Sequence, residues 1–235
     1  MSTDNLATES REVSNFDRVF LRDYGELVIT QGEQESLTIE AHPDILPKIK
    51  TEVKDGKLVI KISGSWLDKL GHALSTGLTR LRIKYNLTVK KLTGLEISGA
   101  VRVTASNIET DRLALKLSGA GQVNIEALSA EVLEVDLPGA CAIKVSGKVG
   151  EQRIALSGAG SYSAPKLESR RASVDLRGAG QATVWAVEDL DVAIRGLGSV
   201  EYYGTPTIKK SISGIGSVTH LDFGQIRGSG QKPGF

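Results

Sequence analysis

The chain has 235 residues, enough for a sizeable hydrophobic core in one or two domains. Its 29 basic and 28 acidic residues nearly cancel and form no basic stripe, so a nucleic-acid partner is not supported. No stretch reaches the ~18 apolar residues of a membrane-spanning helix, and no integral membrane segment is expected. The single cysteine, Cys141, excludes an intramolecular disulfide and is expected to be a small, packed side chain.

The first 12 residues are polar and contain no apolar signal core. We expect residues 1–12 to be disordered. Two compartments stay open on this evidence. The protein belongs to the cell envelope, periplasmic or surface, if an export signal has been removed, and to the cytoplasm otherwise.

Residues 13–94 are predicted to form a cap of strands over one end of the molecule. The strand candidates are Arg18–Leu21, Glu26–Thr30, Ser36–Glu40, Ile49–Val53 and Lys57–Ile62. Asp55-Gly56, between the last two candidates, is a typical hairpin turn. Such a cap would protect the open edge of a repeat structure, which repeat proteins require.

An insert at residues 64–79 interrupts the strand pattern. Apolar residues recur there at helical spacing, and they predict a short amphipathic helix between Ser65 and Ser75. These residues are Trp66, Leu67, Leu70, Ala73 and Leu74. The helix either packs as a lid on the cap or, through Trp66 and Leu70, contacts a partner subunit or a membrane surface.

A short glycine phrase returns seven times between residues 95 and 221. Its first glycines are Gly99, Gly119, Gly139, Gly158, Gly178, Gly196 and Gly214, at steps of 18 to 20 residues. A fixed period in this range is typical of stacked repeats. We therefore predict an all-β fold, a parallel β-solenoid (β-helix) of about seven 20-residue rungs over residues 95–221. A flexible tail is expected at 222–235.

Aligned on the first glycine, the repeats alternate apolar and polar positions, which predicts strands with one face inward. The inward position two residues before the glycine holds Ile97, Leu117, Leu137, Leu156, Leu176, Ile194 and Ile212. A further inward position, nine or ten residues after it, holds Ile108, Leu128, Val149, Leu167 and Val187. Each glycine is expected to mark a bend with a positive φ angle.

Few residues suggest chemistry. No Walker lysine, dinucleotide-binding context or metal-spaced cluster is present, and the histidines (His42, His72, His220) are scattered, so neither a cofactor nor a metal is expected. Asp136 and Asp175 stand two rungs apart, ~9.6 Å by strand spacing, near the upper limit for an inverting glycosidase pair. Trp185 and Tyr203 are outward aromatic candidates on adjacent rungs, for contact with a sugar or a protein or for packing on a loop.

The closing phrase Tyr202-Tyr203-Gly204-Thr205-Pro206, followed by Ser213-Gly214-Ile215-Gly216, resembles the family called putative auto-transporter adhesin, head GIN domain. The opening, Phe16 to Val28 with Gln31-Gly32 and Lys54-Asp55-Gly56-Lys57-Leu58, is also similar to that family. The resemblance covers about residues 13–221. It implies a β-solenoid and a bacterial source, often with export to the envelope, and it supplies no catalytic residues.

These observations favour a non-catalytic solenoid that serves adhesion or scaffolding and is not an enzyme. Its partner would be a protein or a glycan, held on a long flat side or at a strand edge. Two alternatives stay open. One is a carbohydrate-acting enzyme that uses Asp136 and Asp175. The other is a structural protein that self-assembles into homo-oligomers through the 64–79 insert or the solenoid ends.

Overall fold

The computed structural model describes residues 6–63 and 82–223, and in that part fourteen strands and one short 3-10 helix make up the regular structure. The strands are β1 (Ala7–Arg11), β2 (Arg18–Gln31), β3 (Ser36–Ala41), β4 (Ile49–Lys54), β5 (Lys57–Ile62), β6 (Lys84–Val89), β7 (Gly94–Leu117), β8 (Gln122–Leu137), β9 (Ala142–Leu156), β10 (Ser161–Leu176), β11 (Ala179–Ile194), β12 (Leu197–Tyr203), β13 (Thr207–Ile212) and β14 (Ile215–His220). The 3-10 helix, Leu46–Lys48, lies between β3 and β4.

The strands of the repeats stack in parallel, one rung on the next. The order is β2, β7, β8, β9, β10, β11, β12 and β14, and β13 lies beside β11. Equivalent repeat positions face each other, so that Val103 lies opposite Val123 and Val123 opposite Ile143. The predicted parallel β-solenoid is confirmed, and its seven glycine phrases delimit about six turns.

The core runs through the stack as columns of aliphatic side chains. In the column two residues before the glycine, Leu117, Leu137, Leu156, Leu176 and Ile194 are all buried. Each such side chain contributes about 1.5–3 kcal/mol before the loss of chain entropy is subtracted. Ile212 ends this column and is 42% exposed, since no described strand covers it. Stability therefore depends on each rung being covered by the next.

One predicted core position is wrong. Val187 is exposed, and its neighbour Ala186 is buried instead. The pairing of β10 with β11 contains register shifts in this region, and Ala186 pairs with Ser169. Because successive side chains of a strand face opposite sides, a shift of one residue exchanges the inward and outward positions.

Glycine is required at these positions for a different reason from the one predicted. Of the seven first glycines, only Gly99 has a positive φ angle, +145°. In the following six rungs, a Cβ atom on the first glycine would overlap the carbonyl oxygen of the first glycine in the rung before it. The backbone of the preceding rung therefore leaves no space for a side chain at this position. The carbonyl oxygen of each first glycine in turn excludes a side chain from the same position of the rung that follows.

Asp23 occupies the first position of this glycine column. It pairs with Gly99 across β2 and β7 and has a φ angle of +91°. On the side away from β7, Asp23 has no described strand partner, because the pairing with β5 ends at Leu21 and that with β6 begins at Glu26. Its Oδ2 accepts a hydrogen bond from the backbone N–H of Ile62, at 2.8 Å, which joins the corner to the end of β5.

The N-terminal region departs from the prediction in two ways. The parallel stack extends into the predicted 13–94 cap, because β2 pairs in parallel with β7 from Arg18 to Ile29. Residues 7–11 were expected to be disordered, but they form β1, antiparallel to β3. Arg11 holds this strand in place, because its Nη2 donates to the carbonyl oxygen of Leu46 at 3.0 Å.

The rest of the cap is as predicted where the structure describes it. β4 and β5 form the expected hairpin, with Asp55 and Gly56 at the turn, both with positive φ angles. β3 pairs antiparallel with β6, and β5 and β6 pair with β2 in parallel. The predicted helix in the 64–79 insert lies outside the described residues, as does the tail beyond Phe223.

Candidate functional site

The glycine corners form one wall of a long groove with a volume of about 930 Å³. Its floor is a row of exposed alanines that follow the first glycine in successive rungs, Ala100, Ala120, Ala140, Ala159 and Ala179. Stacked strands place these methyl groups at ~4.8 Å intervals along the axis. The same row continues with Tyr24 at one end and with Leu197 and Ile215 at the other. The groove therefore has a flat apolar floor of methyl groups, with larger side chains at both ends.

The margins of the groove are polar but nearly balanced in charge. Gln122, Ser161 and Gln181 line it along the rungs. Its end beside the cap is lined by Glu26, Glu40, Arg82 and Lys84, and Arg102 of β7 also lines the groove. Amide and hydroxyl groups can donate and accept hydrogen bonds with neutral polar ligands. The groove suits an elongated, uncharged ligand better than an anion or a cation.

Cys141 lies at the bottom of the groove in the place of the second glycine. It is 2% exposed, and its Sγ donates to the carbonyl oxygen of Gly119 at 3.0 Å. Burial raises the pKa of the Cys141 thiol, which disfavours the reactive thiolate. Its small, packed character agrees with the sequence-based expectation.

The aromatic pair does not form an open platform. Tyr203 is 6% exposed, and its ring stacks on Phe223 with a centroid distance of 4.8 Å. Trp185 meets the same Phe223 edge to face at 4.8 Å. The pair is therefore covered, as in the alternative that it packs on a loop, because Phe223 follows β14 and lies against both rings. The other two predicted contact residues, Trp66 and Leu70, lie outside the described residues.

The two carboxylates considered for glycoside hydrolysis lie in ion pairs. Asp136 and Asp175 stand in one column with Ala155 between them, as the repeat predicted. Asp136 pairs with Lys116 at 3.7 Å. Asp175 accepts hydrogen bonds from Arg177 and Arg195, with N–O distances of 2.6 and 3.2 Å. Its oxygens are engaged by cations and do not face a groove shared with Asp136.

Two kinds of feature are absent from residues 6–63 and 82–223. No group of three or more His, Cys, Asp or Glu side chains in this part lies close enough to hold a metal ion. Likewise, none of the helices described there is long and apolar enough to cross a bilayer.

The family model described as "Putative auto-transporter adhesin, head GIN domain" matches residues 15–206 of the chain. The chain belongs to this family. The match confirms the resemblance drawn from the closing and opening phrases. It also places β2, a strand of the parallel stack, within the head GIN domain. No curated protein matches the chain.

Solved structures of bacterial proteins share the head GIN fold. A putative adhesin from Bacteroides fragilis is 26% identical, with a TM-score of 0.83 over 93% of this chain and 98% of that one. A putative adhesin from Parabacteroides distasonis is 18% identical, with a TM-score of 0.69 over 92% and 97%. A protein from the same species, described as a putative lipid binding protein, is 22% identical, with a TM-score of 0.66 over 93% and 97%. The last two likenesses show the fold alone.

Sequence reasoning missed the groove because it looked for large or ionisable side chains. The alanine after each glycine was visible in every copy from Ala100 to Ala179. Its place between a glycine wall and a polar column was the available signal, since small residues at an outward position leave a concave surface. Phe223 was missed because it was assigned to the tail.

Proposed function

We propose that this head GIN protein is a non-catalytic adhesion module of the bacterial cell envelope, which holds an elongated, uncharged surface ligand along the alanine groove. The observation that supports the proposal most is the groove itself, with its row of exposed methyl groups between polar margins. The ligand is a glycan chain or an extended protein segment.

The fold explains how such a groove could hold a ligand firmly. Its glycine wall is backbone packed on backbone, since each first glycine lies against the carbonyl oxygen of the one before. A surface built in this way has few side-chain torsions to order on binding, which lowers the entropic cost of association. Apolar contact with the methyl row and hydrogen bonds from Gln122 and Gln181 would act together on one ligand.

Glycan and protein arrays probed with the full chain test this function. Ala140→Arg would fill the middle of the groove, and binding should fall at least tenfold. The matched control is Ala127→Arg, which adds the same side chain to an exposed position of β8 that does not line the groove. Equal losses in the two variants, or no binding on either array, would contradict the proposal.

Mass spectrometry of the bound glycans tests the non-catalytic part. Intact oligosaccharides are expected after long incubation. Cleaved products that disappear with Asp175→Asn would instead support the carbohydrate-acting alternative.

A further inference from the structure

The two ends of the stack differ in how they are closed. At the N-terminal end, β5 and β6 cover β2, and the outermost strands are β1 and β4. Those outer strands carry charges, Glu9 and Arg11 in β1 and Lys50, Glu52 and Lys54 in β4. Charged residues on an edge strand prevent unwanted pairing. At the C-terminal end of the described residues, β14 pairs only with β12 and β13 only with β11.

The last strands leave apolar side chains uncovered. Ile208 and Ile212 of β13 lie opposite Leu190 and Ile194, both fully buried. Ile208 and Ile212 are themselves exposed, as is Ile215 of β14. β14 contains no Asp, Glu, Lys or Arg. For Ile208 and Ile212, exposure comes from the lack of a following described strand, because their columns are buried in every preceding rung. Ile215 continues the exposed row of the alanine groove.

Two lysines lie next to each other on the open strand β13. Lys210 lies opposite Val192 in an otherwise apolar inward column, and Lys209 lies opposite Asp191. Neither lysine forms an ion pair with any described residue. Elsewhere on the stack, cations pair with carboxylates one rung away: Lys116 with Asp136, Arg112 with Glu134, Arg195 with Asp175. The position beyond Lys209 and Lys210 therefore has no carboxylate to complete the pattern.

We infer that the C-terminal end binds an extended acidic segment of a partner protein, which adds a strand to β13. Strand addition at an open edge gives affinity through backbone hydrogen bonds and specificity through alternate side chains. In the parallel direction of the stack, the segment reads apolar, acidic, acidic, any residue, apolar. Its apolar side chains cover Ile208 and Ile212, and its carboxylates meet Lys209 and Lys210. This site is separate from the alanine groove and does not depend on the proposed function.

Charge argues against the other occupants. The chain's own residues 224–235 contain Arg227 and Lys232 and no acidic residue. A second copy placed by a two-fold axis, with Ile208 of each copy opposite Ile212 of the other, would set Lys210 against Lys210, and like charges directly opposite in a sheet are destabilising. In head-to-tail stacking, the lysines would meet β4, which carries two lysines and one glutamate.

Fluorescence anisotropy with two labelled nine-residue peptides tests the inference. One peptide has the pattern apolar–Glu–Glu–Thr–apolar at its centre, and the other has glutamines in place of the glutamates. The acidic peptide should bind the full chain with a Kd of about 100 µM or lower. The glutamine peptide should bind at least tenfold more weakly, and the difference should shrink at high salt. Equal binding of the two peptides would overturn the inference.

Variants locate the site. Lys209→Glu with Lys210→Glu should abolish binding of the acidic peptide and permit binding of a peptide with two lysines at the same positions. The matched control, Lys144→Glu with Lys166→Glu, changes two exposed lysines elsewhere on the stack and should leave binding unchanged. Equal loss in both double variants would overturn the inference. So would a dimer in sedimentation that excludes the peptide, or binding seen only after removal of residues 224–235.

Discussion

The glycine column and the aliphatic columns repeat with the same period but obey different rules. Six residues after the first glycine, the buried side chain changes from Ala105 to Ile125 to Val145 without becoming exposed. The first glycine does not change from Gly119 to Gly214. Side chains in a core can exchange volume with their neighbours. A carbonyl oxygen of the preceding rung cannot move aside without breaking the ladder. The backbone contact therefore sets the repeat, and the core adapts to it.

Gly158→Val is expected to lower the free energy of unfolding more than any of the other substitutions, because it acts on the backbone contact. Its Cβ would overlap the carbonyl oxygen of Gly139, and the added methyl groups increase the clash. We expect the free energy of unfolding to fall by about 3 kcal/mol or more, measured by urea denaturation. Ala159→Val adds the same bulk one residue later at an exposed position and should change it little. Similar losses in both variants would contradict the backbone explanation.

Tyr162→Phe tests a polar exception within the aliphatic columns. The Tyr162 hydroxyl donates to Oε1 of buried Gln152 at 2.9 Å, and Gln152 Nε2 donates to Ser169 Oγ at 2.8 Å. Removing the hydroxyl leaves a buried acceptor unsatisfied, which should cost about 1–2 kcal/mol. Burial also raises the pKa of Tyr162, so its phenol should remain neutral until the protein unfolds in alkali. Tyrosinate absorbance that rises before unfolding and is absent from Tyr162→Phe would contradict this packing.

Ile154→Val measures the tolerance of the aliphatic columns directly. Ile154 is buried between Val135 and Val174, and the substitution removes one methylene from the core. A loss of about 1 kcal/mol is expected in the same denaturation assay. A loss as large as that of Gly158→Val would remove the contrast between the two kinds of column.

Surface ion pairs should make a smaller, pH-dependent contribution. A hydrogen bond from Arg153 lowers the pKa of Glu151 below its ordinary value of 4.5. A carboxyl whose pKa is lowered on folding stabilises the protein above the ordinary value, and that stabilisation is lost as the pH falls through the folded value. Because the Arg153 side chain is half exposed, we expect a few tenths of a kcal/mol. In Glu151→Gln, the unfolding midpoint should fall less between pH 5 and pH 3 than in the unchanged protein. An identical fall would contradict the assignment.

The smallest effect concerns Cys141, which lies at the bottom of the alanine groove in the place of the second glycine. Because burial raises the pKa of its thiol, Ellman's reagent should label native protein at pH 8 at least tenfold more slowly than urea-unfolded protein. Fast labelling of the native protein would show that the groove floor opens at this rung.

The sequence predicted the stack well and its beginning poorly, for a physical reason. Ile97 and its equivalents revealed the parallel register because a repeated core demands repeated side chains. The first rung was missed because Asp23 and Tyr24 stand where later rungs have glycine and alanine. At that corner no described strand pairs with Asp23 on the side away from β7, so its side chain is tolerated and the glycine phrase is lost. The cover over Tyr203 was not identified because Phe223 comes from beyond the last repeat.

Distances along one outward column test the central claim, a parallel stack in register, most directly. Arg102, Gln122, Ala142, Ser161, Gln181, Ser199 and Ser217 lie in one column. Spin labels at residue 102 and at 181, 199 or 217 should give electron–electron distances that increase in equal steps of ~4.8 Å, with backbone separations near 19, 24 and 29 Å. Distances that fail to increase with each rung would contradict the stacked solenoid.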